Sequence, residues 1–271
     1  MHHLLAIADL APADVARILA RARELQSAPP PSLAGRACVY SFEGNSLRTR
    51  ATFLKAMAAL KLTAIELPNL LKTAEDKRHL AGYLDQWAEG YVIRESNHEA
   101  LEAFARASRR PVINAMSAQG HPCEVLGDAF WLEQHFGDLR RLRVTLVGPA
   151  TNVLRSWAEL CALLGIAAAH ACPPGYAPLE GVRAAQTLDE ALVGANAVFT
   201  DAWPAGFDDP AYRVTLAALE RAAPDAVVIP CPPFNTAREV APEVIASPRF
   251  AGYAQKAGLY HVQMAILALL L

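Results

Sequence analysis

Several short stretches carry anion-holding or proton-handling side chains between a strand-like run and a helical one. Ser46-Leu47-Arg48-Thr49-Arg50 follows the apolar run RACVYSF and opens a helical segment. Free backbone N–H groups and the helix dipole attract an anion at such a point. Ser46 and Thr49 add hydroxyl donors, and Arg48 adds a guanidinium fork suited to phosphate. Cations at a helix N-terminus are electrostatically unfavourable unless an anion compensates them, so a phosphate or carboxylate site is predicted over a capping serine with solvated arginines.

Gly120-His121-Pro122-Cys123-Glu124 stands in the same setting. His121 there can donate to a carbonyl oxygen that gathers charge during acyl transfer, or it is a cap-region histidine with no role. Arg94 follows the strand-like run 90–93 and is placed to face the same crevice, although alone it reads as a surface arginine. Gly148-Pro149-Ala150-Thr151-Asn152 resembles a dinucleotide-binding turn but lacks G-x-G-x-x-G, which gives no support to a nicotinamide cofactor. Asp201 ends the run AVFT, where a carboxylate can hold a substrate ammonium. Cys231 lies in Pro230-Cys231-Pro232-Pro233 with no histidine beside it, as readily a small buried hydrophobe as a nucleophile.

The elements that must position these loops alternate between strand and helix. Strands are predicted at 36–42, 63–67, 90–93, 111–114, 142–147, 166–171, 196–200 and 225–229. Helices are predicted at 12–26, 48–62, 74–88, 97–108, about 123–136, 152–164, 187–193, 216–222, 236–245 and through the apolar C-terminus. That order marks parallel sheets, hence an α/β chain of two doubly wound, Rossmann-like domains. The boundary is expected at 135/136, with domains at 1–135 and 136–258 and the helix 259–271 packing back on the first. Ligands of open parallel sheets bind beyond the carboxyl ends of the strands, which is where the polar loops fall.

The 271 residues, 53% hydrophobic and 19% charged with a net charge of −2, exclude disorder and argue against a general nucleic-acid-binding surface. No apolar run reaches the ~18–20 residues of a membrane span, and the N-terminus does not read as a signal peptide. Five scattered cysteines without a CxxC pair indicate neither a zinc site nor a disulfide framework, so a reduced, cytoplasmic protein is expected. The alanine-rich apolar excess suits packed helices and subunit contacts.

The polar loops, in this order, resemble the aspartate/ornithine carbamoyltransferase family, most closely its ornithine/acetylornithine branch. FEGNSLRTRATF matches the family's Ser-Thr-Arg-Thr-Arg loop with Leu47 in place of Thr. His121-Pro122-Cys123-Glu124 matches His-Pro-x-Gln, and Gly148 to Val153 matches Gly-Asp-x-Asn-Asn-Val. Asp201 to Phe207 matches Asp-x-Trp-x-Ser-Met-Gly, and Pro230-Cys231-Pro232-Pro233 matches His-Cys-Leu-Pro. Arg238-Glu239-Val240, Ser247-Pro248-Arg249 and the helix from His261 follow in register.

The resemblance implies the carbamoyltransferase fold, with carbamoyl phosphate or a phosphate-like anion on the first domain, an amino acid on the second, and no metal or organic cofactor. Ser46, Leu47 (through its backbone N–H), Arg48 and Thr49 would hold the phosphate. Arg94 and His121 would polarise the carbamoyl oxygen, and Glu124 would face the carbamoyl amide. Asn152 and Asp201 would hold the amino end of the acceptor, with Cys231 and Pro232 beside the attacking amine. Leu259 stands where the family has an arginine, and the segments between Ile65 and Glu75 and near Gly175–Thr187 are shortened. Lys72 or Lys77 is then a candidate for a basic residue lent to a neighbouring subunit of a homotrimer. These departures carry two other readings: a relative turned to a lyase or other group transfer on an ornithine- or arginine-like metabolite, and a non-catalytic trimeric binding protein.

Overall fold

A computed structural model describes residues 1–271. Its contacts divide the chain into Met1–Phe130 together with Gly258–Leu271, and Trp131–Ala257. In the first unit the strands are β1 (Ala37–Phe42), β2 (Thr63–Glu66), β3 (Gly90–Arg94) and β4 (Val112–Met116). The helices there are α1 (Pro12–Ser27), α2 (Leu47–Ala59), α3 (Lys77–Leu84), α4 (His98–Ala107) and the start of α5 (Pro122–Phe136), along which the division falls. The sheet is wholly parallel in the order β2-β1-β3-β4. β1 and β3 are buried on both faces, which accounts for continuous apolar runs such as YVI instead of alternation.

The second unit repeats the scheme with β5 (Arg143–Val147), α6 (Asn152–Leu164), β6 (Ala167–Ala171), β7 (Arg183–Ala185), α7 (Leu188–Leu192), β8 (Ala197–Thr200), β9 (Val227–Pro230) and α8 (Pro242–Ile245). Its parallel sheet runs β7-β6-β5-β8-β9. The closing helix α9 (Lys256–Leu270) lies with the first unit from Gly258 onward.

Strand order reverses between β1 and β3 in one sheet and between β5 and β8 in the other. A crevice forms at such a switch point because consecutive connections leave on opposite faces. The pairings place the strand ends side by side there, Phe42 with Arg94 and Val147 with Thr200. The Ser46 loop and Arg94 therefore share one crevice, and the Gly148 loop and Asp201 share the other.

Three predicted elements differ. The expected helix 216–222 is a single 3-10 turn, Ala218–Arg221, and the expected 236–245 helix is confined to Pro242–Ile245. Pro242 lacks an N–H and is suited to the first helical turn, so it starts that helix late. β7 sits at a sheet edge with an exposed Arg183, which hides its strand pattern. The predicted helix 74–88 begins at Lys77, capped by Asp76, whose carboxylate accepts the Arg78 N–H at 2.8 Å.

Gly148 leaves β5 with φ 102°, and a Cβ there would lie 2.8 Å from Trp203 Nε1. Gly148→Ala is expected to destabilise the protein by about 2 kcal/mol or more, combining backbone strain with overpacking. A lowered urea midpoint with an unchanged slope checks this.

Candidate active site

In the first unit, Ser46 precedes α2 in the left-handed conformation, φ 40° and ψ 42°. A non-glycine residue held there costs about 1–3 kcal/mol and persists only where its surroundings impose it. The Ser46 hydroxyl does not cap the helix, and Oγ is buried without a hydrogen-bond partner. Leu47 is 72% exposed as the first residue of α2, so an apolar side chain stands open at the loop. Arg48 is exposed and Thr49 is buried. Arg50, by contrast, is engaged by its own unit: Nη1 reaches Glu66 Oε1 at 2.8 Å and the guanidinium lies 5.7 Å from the centre of the Phe42 ring.

Arg94 ends β3 at a register shift, half-buried, and its carbonyl accepts the Glu43 N–H at 3.0 Å. His121 and Glu124 are buried at the start of α5. Ser117 and Asn114 brace the turn leading into α5: the Gly120 N–H donates to Ser117 Oγ at 3.2 Å, and Asn114 Nδ2 donates to Ser117 Oγ at 3.2 Å. Leu259 is buried, and a Cβ on Gly127 would come within 2.9 Å of its Cδ1. The residue at this position thus packs α9 onto α5.

In the second unit, Thr151 caps α6, and Asn152 turns its Oδ1 to the Val153 N–H at 2.8 Å. Asp201 leaves β8 half-buried, with Oδ1 accepting the Ala202 N–H at 2.8 Å. Loss of solvent raises the Asp201 carboxyl above its ordinary range. The nearby Glu239 charge raises it further, while hydrogen bonds from Thr151, Ala202 and Cys231 act in the opposite direction. Cys231 is half-buried, its N–H donating to the Thr200 carbonyl at 2.8 Å, which sets β9's end against β8's. Pro232 follows half-buried, in cis linkage to Pro233.

The structure also assembles residues that sequence reasoning left without a role. Glu239 is buried and accepts the N–H groups of Trp203 at 2.9 Å and Asn235 at 2.6 Å, tying the loop after β8 to the one after β9. Arg238 donates to the Phe207 carbonyl and lies 5.8 Å from the centre of the Trp203 ring. His170 is buried, with Nε2 against the Gly148 carbonyl at 2.8 Å and Nδ1 accepting the Leu179 N–H at 3.0 Å, so burial and its acceptor role keep the ring neutral. The sequence held little signal for Glu239, since a lone glutamate names no partner.

Residues 2–134 match the family model "Aspartate/ornithine carbamoyltransferase, carbamoyl-P binding domain", and residues 140–270 match its "Asp/Orn binding domain". The chain belongs to the aspartate/ornithine carbamoyltransferase family. An ornithine carbamoyltransferase of Methanoculleus marisnigri is 33% identical over 263 residues, covering 88% of this chain and 85% of that one. One of Synechococcus elongatus is 32% identical over 299 residues, covering 99% and 97%. That alignment is longer than the 271-residue chain, so it leaves gaps in this chain. The structure of ornithine carbamoyltransferase from Thermus thermophilus superposes with a TM-score of 0.93 at 31% identity, over 100% of this chain and 99% of that one. This chain thus shares the two-sheet architecture of the ornithine carbamoyltransferase from Thermus thermophilus.

The raised Asp201 carboxyl gives a signed expectation. A group whose folded pKa is raised adds stability below its unfolded pKa and loses it as pH rises through the folded pKa. At neutral pH the Asp201 charge therefore costs stability that a bound ammonium would offset. Asp201→Asn is expected to raise the melting temperature of the ligand-free protein at pH 7.5. The same change should weaken amino-acid binding roughly 10–100-fold, the worth of a charged hydrogen bond. Calorimetric melting and binding titrations read both, and a variant that melts lower while binding normally contradicts the assignment.

Proposed function

We propose that this protein transfers the carbamoyl group of carbamoyl phosphate to the amine of an ornithine-like amino acid. The observation that carries the reading is Ser46: a strained left-handed residue with a buried, unpartnered hydroxyl, directly before a helix N-terminus bearing Arg48 and Thr49. Strain and an unsatisfied donor both find their compensation in a bound phosphate group. Family membership and the half-buried Asp201 beside Cys231 support the acceptor side.

The amine lone pair attacks the carbamoyl carbon, the C–O bond to phosphate breaks, and the amine proton leaves to solvent or phosphate. Ser46, the Leu47 N–H, Arg48 and Thr49 neutralise the phosphate as it departs. Arg94 and His121 stabilise the oxygen that gathers charge. Asp201 and Asn152 fix the acceptor's amino end, and Cys231 with Pro232 lines its path. The chemistry is orientation and electrostatics, with no cofactor in any step.

The trimer is part of the proposal, supported by Tyr83 and Trp87, each 65% exposed on and just after α3. A reducing compartment is in keeping with five free cysteines. No helix is long and apolar enough to cross a membrane.

Glu124 is a buried carboxylate close to His121 in the chain, and no arginine stands at Leu259, which together weaken the hold on a dianion. Phosphate release from carbamoyl phosphate across a panel of amino acids tests the reading. Turnover is expected with at least one acceptor, with Arg48→Ala lowering kcat/KM about 10–100-fold. Glu124→Gln is expected to lower KM for carbamoyl phosphate several-fold. Absence of turnover with every acceptor, together with loss of a lyase activity in Glu124→Gln, would replace transfer by elimination.

A further inference from the structure

The strongest arrangement outside these residues is a lysine shared by two carboxylates. The turn that carries Lys72 is anchored to β1: the Leu67 N–H donates to the Tyr40 carbonyl at 3.0 Å and the Leu70 N–H to Ser41 Oγ at 3.1 Å. Leu70 and Leu71 are buried in the core of the first unit. Lys72, next in the chain, is thereby aimed back at the strand ends. Its Nζ lies 2.6 Å from Glu95 Oε1 and 3.1 Å from Glu43 Oε1.

Both acids sit beside residues assigned to the anion. Glu43 lies three residues before Ser46, and Glu95 directly follows Arg94. Glu43 donates its N–H to the Arg94 carbonyl at 3.0 Å and accepts the Ser96 N–H on Oε2 at 2.8 Å. Glu95, with only 5% of its side chain exposed, also accepts the Asn97 N–H at 3.0 Å. The Ser96 amide and Lys72 hold the Glu43 carboxyl down to about 2. Two carboxylates converging on one point repel, and a buried one has little water to turn to. The ammonium between them is what allows both loops to stay in place while charged.

We propose that Lys72 is a positioning residue that clamps the loop after β1 to the loop after β3 within its own chain, holding Ser46 and Arg94 in register for a phosphate group. This rests on the reading of the Ser46 loop as a phosphate site. Lys72 acts through Glu43 and Glu95, and Lys77 takes no part: its Nζ donates to the Thr73 carbonyl at 2.9 Å.

The test compares wild type, Lys72→Met and Lys72→Arg by hydrogen exchange of the ligand-free protein and by titration with inorganic phosphate. In Lys72→Met, exchange should quicken about tenfold or more in residues 43–50 and 95–98 and stay unchanged elsewhere. Phosphate affinity should fall about tenfold, and Lys72→Arg should restore both. Glu43→Gln should loosen the same two stretches, which keeps the test decisive if Lys72→Met does not fold. A fall in affinity with unchanged exchange means that Lys72 touches the anion itself and overturns the proposal. So do unchanged affinity, loosening spread over the whole unit, and failure of the wild type to bind phosphate. A wild type that binds phosphate with the coupling intact but transfers no carbamoyl group refutes only the transferase reading.

Discussion

Charge gathered at the open end of a parallel sheet must be compensated, and the free backbone groups there offer only part of the compensation. This constraint governs both units. At the β1/β3 switch point the fold leaves a strained serine with an orphan hydroxyl beside an exposed arginine. At the β5/β8 switch point it leaves a carboxylate that burial and Glu239 push toward its neutral form. Neither state is comfortable without a ligand, and the ligands that relieve them have opposite charge. An anion suits the first and an ammonium the second, which are the two ends of a carbamoyl transfer.

The surrounding polar residues make sense as supports for this imbalance. Arg50 is committed to Glu66 and Phe42, leaving Arg48 as the guanidinium open to solvent. Lys72 neutralises two acids that would otherwise spoil the proposed anion site. In the second unit Glu239 is used on backbone N–H groups and Arg238 on the Phe207 carbonyl. Leu259 shows the reverse case. With Gly127 opposite, that position is a close apolar helix contact.

The strand–helix order and the polar loops were legible in the sequence because buried parallel strands are continuous apolar runs and their carboxyl ends are marked by Ser, Arg, His, Asp and Cys. Ser46, Arg94, Asp201 and Cys231 could thus be placed at strand ends before any coordinates. What was not legible depends on pairing across distance. Lys72 reads as a solvated lysine until the turn at Leu70 is seen anchored on Ser41, and its partners lie 29 and 23 positions away. The left-handed Ser46 carries no residue-type signal, since glycine or asparagine is usual there. The helix expected at 236–245 is cut short because residues 236–239 form a turn, closed by the Glu239 carboxylate on the Asn235 N–H, and Val240 then pairs with Val214, tertiary contacts that outweigh local propensity.

The claim that one chain presents an anion site and an ammonium site at its two switch points is tested most directly by a crystal structure with phosphate and an α-amino acid bound. The account expects phosphate to accept hydrogen bonds from Ser46 Oγ and the first N–H groups of α2, and the amino group to sit on Asp201. Phosphate bound elsewhere with Ser46 Oγ still unpartnered, or an amino group held away from Asp201, would contradict it.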